Sequence, residues 1–105
     1  MPVLTASAIA PDQTTSVSVF DVPTTDAYQA LDVIGSYLYN YGQEVSYELN
    51  GNQLVGQTYS SLGTLNWVGK VLQTGNGIRI VTVGAPDYLY AQKSGIINQL
   101  FNSIR

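Results

Sequence analysis

EVSYELNGNQLVGQTYSSLGTLNWVGKVLQTGNGIRIVTV, residues 44–83, decides the fold. From Glu44 onward the period is two: Val45, Tyr47 and Leu49 alternate with Glu44, Ser46 and Glu48, as on a strand with two unlike faces. Asn50-Gly51-Asn52 tolerates the positive φ of a tight hairpin turn, so Gln53–Ser60 is the returning strand. Ser61-Leu62-Gly63 turns the chain again, and Leu65, Trp67, Gly69 and Val71 alternate along a third strand. Thr74-Gly75-Asn76-Gly77 is another tight turn, and the β-branched run Ile78–Val83 is the fourth strand. Four strands joined by three short turns predict an antiparallel meander.

Upstream, Val17, Val19 and Phe20, with serines at 16 and 18, read as a short strand. Pro23-Thr24-Thr25-Asp26 is a helix start: Asp26 can cap, with Gln29 in the capping-box position. Ala27, Ala30, Leu31, Ile34, Leu38 and Tyr41 follow at helical spacing, and Gly42 supplies the stop, which gives a helix over about 26–41. Downstream, Ala85-Pro86-Asp87 opens a last helix. Its apolar stripe is Leu89, Ile96, Ile97, Leu100, Phe101 and Ile104, with Gly95 placed to let it approach the sheet. The expected order is β-α-β-β-β-β-α: an α+β fold with an antiparallel sheet of four to five strands and two helices packed on one face. Residues 1–15 are expected to be an extended or flexible arm, with a turn at Pro11-Asp12, and residues 16–105 a single domain. Val68, Leu72, Val81 and Val83 lie in opposite phase to Leu65, Trp67, Val71, Ile78 and Ile80, so the second sheet face is semi-apolar as well. Either the sheet curls or another surface packs there.

The composition excludes much. The 105 residues carry a net charge of −3, and only 10% are charged, against about 25% in an average soluble domain. Four basic residues do not make a nucleic-acid footprint. With no Cys and no His there is no disulfide scaffold, zinc finger, iron–sulfur centre or imidazole-based triad. No stretch approaches the ~20 apolar residues of a membrane span, and Met1–Ala10 lacks the charged start of a signal peptide. Low charge with abundant Ser, Thr, Asn, Gln, Gly and Tyr suits an extracytoplasmic protein: secreted, periplasmic, lumenal or part of a virion.

From about Val17 to Ile104 the layout resembles the PsbP-like family, which includes the DcrB-like proteins. The best local match is Gly77-Ile78-Arg79-Ile80-Val81-Thr82-Val83-Gly84-Ala85-Pro86-Asp87, running into a helix that ends Asn102-Ser103-Ile104-Arg105. The resemblance implies a non-enzymatic accessory or binding module. The aromatic-Pro-Gly-Trp pattern of the family's N-terminal hairpin does not occur here, and no functional residue carries over.

The residues themselves point to binding rather than turnover. Tyr37, Tyr39 and Tyr41, with Tyr88 and Tyr90, cluster at helix ends, and tyrosine suits surfaces that are part apolar and part polar. Trp67, the single tryptophan, fits a core position, or a partner anchor if its face is uncovered. Glu44 and Glu48 would stand about 13 Å apart on one strand, too far for a glycosidase dyad. Asp21, Asp26, Asp32 and Asp87 fall at caps, turns and a helix flank with no calcium-loop spacing. Neither Lys70 nor Lys93 is positioned to activate a serine. No catalytic residue, cofactor or metal is therefore expected. The expected partner is another protein or a second copy of the chain, met through a Tyr-rich, semi-apolar surface. The alternative is a self-assembling structural subunit of an extracellular or virion assembly.

Overall fold

The central hairpin of the sheet joins β5 (Gly63–Thr74) to β6 (Gly77–Pro86), paired from Leu65↔Pro86 to Thr74↔Gly77. Strands β4 (Gln53–Ser60) and β3 (Glu44–Asn50) extend it on one side, and β2 (Ser16–Val22) and β1 (Val3–Ile9) on the other. The result is a six-stranded antiparallel sheet in the order β1-β2-β6-β5-β4-β3. The computed structural model describes residues 3–9 and 12–105. The α+β class and the four-stranded meander are those read from the sequence. The N-terminal arm adds a strand, so the sheet has six strands rather than four or five. Pro11 lies outside the described residues; Asp12 opens the turn into β2.

Helix α1 (Ala27–Tyr39) carries the chain from β2 across to the far edge at β3. Asp26 caps it, its carboxylate accepting from the backbone N–H groups of Tyr28 (2.9 Å) and Gln29 (3.5 Å). Gln29 does not close the box on Asp26 directly. The Thr24 hydroxyl donates to its side-chain oxygen and in turn accepts from the Asp26 N–H. Gly42, at φ +80°, ends the helix: its N–H donates to Tyr39 O and that of Gln43 to Leu38 O. α1 buries Ala30, Leu31 and Ile34 against Phe20, Val22, Leu54, Trp67, Val71, Ile78 and Ile80, which share one face of the sheet, here the first face.

The two helices do not share that face. The chain leaves β6 through a single turn, α2 (Asp87–Tyr90), and then forms α3 (Ser94–Ser103), so the expected last helix is broken at residues 91–93. α3 packs on the second face, where Ile97, only 1% exposed, joins Val83 and Ala85, with Val17, Val68, Leu100 and Ile104 around them. The cause is the two-sided apolar pattern of β5 and β6. Val68, Val83 and Ala85 need cover just as Trp67 and Ile80 do, and a single layer of helices cannot supply both. Gly95 is not at the sheet; it is exposed, with open space around it, and Ile96 is 43% exposed and outside the packed stripe. The Lys93 ammonium bonds the Asp12 carboxylate at 2.6 Å, tying the start of α3 to the turn before β2. That contact, with the Thr14 N–H, holds the Asp12 carboxyl well below the usual carboxylate range.

One close approach fixes the inner packing. The Trp67 ring lies over Gly56 on the neighbouring strand, where a Cβ would come within 2.4 Å of ring carbon Cζ2 and 2.7 Å of Ser46 O. Gly56→Ala is expected to cost about 1–3 kcal/mol by overpacking, and Ile97→Ala about 2–5 kcal/mol by opening a cavity under α3. Urea midpoints against wild type check both; a neutral Ile97→Ala would contradict the docking of α3 on the second face.

Candidate functional site

α1 does not cover the whole first face. It crosses diagonally toward β3 and leaves a groove over the end of the sheet where β3 and β5 begin and β4 and β6 finish. The cavity has a volume of about 470 Å³. Its floor is made of buried Phe20, Leu31, Ile34, Trp67 and Ile80. Half-buried Ser16, Ser18 and Thr82 stand further out, side by side on adjacent strands. The mouth is formed by Ile9 and Tyr41, which are 66% and 70% exposed. Exposure thus rises steadily from floor to rim. At this same end, Leu62 at the β4–β5 turn is 97% exposed and Tyr88 is 80% exposed.

The alternation of β2 explains the hydroxyl row. Ser16 and Ser18 lie in phase with Phe20 and Val22, on the face toward α1, whereas Val17 faces α3. The period-two serines therefore mark a lined groove and not a wet face. Tyr37 and Tyr41 stand one helical turn apart at the C-terminal end of α1, with ring centroids 5.2 Å apart and planes at 56°. Trp67 sits in the floor and donates its indole Nε1–H to Thr58 Oγ1 at 3.0 Å.

Three of the six aromatic residues singled out from the sequence therefore meet in one place: Tyr37, Tyr41 and Trp67. The other three do not. Tyr39 lines a different hollow, between α1 and β3, with Ser36, Glu44 and Tyr47. Tyr88 stands out from α2 into solvent. Tyr90 packs against the second-face core, and burial pushes its hydroxyl pKa up. The residues missed from sequence are Ser16, Ser18, Thr58, Leu65, Gln43 and Thr82; the only signal for them was the even spacing of the β2 serines.

The groove is electrically neutral. Among the described residues no Asp, Glu, Lys or Arg lines it. The charged groups are engaged elsewhere or lie on outer surfaces. Asp21 takes two hydrogen bonds from Arg79, at 2.8 and 3.0 Å. Lys70 stands 4.7 Å over the Phe101 ring and donates to Ile104 O, and Lys93 is held by Asp12. Glu44 and Glu48 are exposed on the outer strand β3. Among the described residues no three of His, Cys, Asp or Glu converge as a metal site would require, and no helix is long and apolar enough to cross a membrane.

Comparison with family models, with curated proteins and with solved structures finds no match to this chain.

Trp67 offers a direct test of that geometry. As the single tryptophan, 7% exposed, it should emit at short wavelength and resist acrylamide quenching. Trp67→Phe loses the bond to Thr58 and leaves a gap beside Gly56, and is expected to cost about 1–3 kcal/mol in a urea titration.

Proposed function

We propose that this chain is a non-catalytic binding module whose groove takes an uncharged, largely apolar small molecule. The observation that carries this reading is that, among the described residues, no charged side chain lines a groove that runs from a buried aromatic floor to an exposed rim. A charged ligand would surrender hydration there with nothing to pair with. An apolar one would replace poorly bonded water over Phe20, Trp67 and Ile80. The cavity size is within the range of small-molecule sites, about 300–1,000 Å³. Ser16, Ser18 and Thr82 offer neutral hydroxyls to orient a polar substituent, and Tyr37 and Tyr41 present ring surface at the rim.

The non-catalytic part of the proposal draws on the same lining residues. Acid–base catalysis needs a group whose pKa can be brought near the working pH; among the described residues the groove is lined by no carboxylate, amine or imidazole, and its titratable groups are the phenols of Tyr37 and Tyr41. The reading agrees with the accessory role implied by the PsbP-like resemblance and borrows no residue from it.

N-phenyl-1-naphthylamine, an uncharged apolar dye, should brighten on titration into the protein and take energy from Trp67. Ser18→Phe, which fills the groove, should weaken binding at least about tenfold, equivalent to about 1.4 kcal/mol; circular dichroism confirms that the variant is folded. Affinity should stay flat between about pH 5 and 8, where histidine would be the residue to titrate. No brightening, or brightening unchanged by Ser18→Phe, overturns the proposal.

A further inference from the structure

We infer that a second copy of this chain adds to the free edge of the sheet at β3, forming a twofold dimer in which two six-stranded sheets become one. The inference is independent of the groove, which opens on the other side of α1.

The two edges of the sheet differ. β1 pairs with β2 through an irregular register, shifted between Leu4 and Ala6. β3 pairs with β4 without a break, from Glu44↔Tyr59 to Asn50↔Gln53. In an antiparallel ladder every second residue turns its N–H and C=O outward, and among the described residues no helix, loop or side chain bonds the outer side of β3. The strand has no proline and no bulge, two of the devices that blunt an edge; its charges are Glu44 and Glu48, which restrict the register in which a second strand can add.

The side chains select a register. With both copies antiparallel and the same faces up, pairing centred on Tyr47 engages the whole strand. Tyr47 then lies opposite Tyr47 of the second copy, Val45 opposite Leu49, Ser46 opposite Glu48, and Glu44 opposite Asn50. Moving the centre to Ser46 sets Glu44 against Glu48 twice; moving it to Glu48 sets the two Glu48 carboxylates face to face. Like charges directly opposite each other are destabilising. The register that uses every residue is thus the one that keeps acid from acid and matches apolar with apolar.

α1 supplies the rest of the contact. Tyr28, Asp32, Gly35, Ser36 and Tyr39 form a stripe along its outer side, and all but Tyr28 border the same hollow as Val45 and Tyr47. The two tyrosines are 58% and 66% exposed. A twofold axis through Tyr47 runs the two helices antiparallel, with small Gly35 and Ser36 between the tyrosines of either end. At Gly35 an added Cβ would meet nothing within 4 Å in the single chain, so a second helix can approach closely there. An extended basic peptide could also meet Glu44 and Glu48, but it would leave the tyrosines of the helix stripe unused.

Sedimentation velocity at high micromolar concentration should give twice the mass of the chain. Gly35→Arg, which the isolated fold accommodates, should return the monomer with its circular dichroism unchanged. Since the chain has no cysteine, Tyr47→Cys should form a disulfide between copies on oxidation, while Ser46→Cys, opposite Glu48, should cross-link far less. A monomeric wild type overturns the inference, as does a dimer that survives Gly35→Arg and is not trapped through position 47. Capture of a lysine-rich peptide by a monomeric chain would assign the edge to that partner instead.

Discussion

The β5–β6 hairpin is apolar on both sides, and the architecture follows from that one constraint. Trp67, Val71, Ile78 and Ile80 face one way, and Val68, Val83 and Ala85 the other. Water must be excluded from both sets. α1 meets the first need on its way from β2 to the far edge, and α3 meets the second after the short turn of α2. Because each face receives a single helix across six strands, neither is fully covered. The uncovered part of the first face is the groove. The hollow between α1 and β3 lies on the other side of the same helix.

The meander was legible because its turns are chemical. Asn50-Gly51-Asn52 and Gly75-Asn76-Gly77 punctuate alternating runs, and the strands fall between them. Asp26 and Gly42 likewise mark the ends of α1 through local backbone bonds. What escaped the sequence depends on tertiary context. Val3–Ile9 has weak alternation and becomes a strand by pairing with β2. The last helix breaks at residues 91–93 without proline or a positive-φ glycine. Opposite-phase valines announced that the second face needed a cover, but they did not say that the cover was the chain's own C-terminal helix.

The candidate site was half legible for a related reason. Tyr37 in the last turn of α1 and Tyr41 just past its end meet ring to ring, whereas residue 39 is rotated away from Tyr37 on the helix. Treating the three as a cluster merged two surfaces. In the first half of β2 the usual inference from alternation inverted: Ser16 and Ser18 share the side of Phe20, and Val17 lies on the side that α3 covers. When both faces of a sheet are dressed, period two still separates the faces, but polarity no longer tells which is inside.

The path of α1 also sets an order of assembly. Each strand of the meander pairs with the next across a short turn, so β3 to β6 can zip as they are made. β2 must instead find β6, with Ser16 opposite Gly84 across the whole of α1 and the meander. Closing so long a loop is slow, because its entropy is spent before any contact returns it. During synthesis β2 and α1 precede their docking edge, which follows only with β6. The walls of the groove come from both halves, so its appearance coincides with that final closure and reports that the molecule is whole.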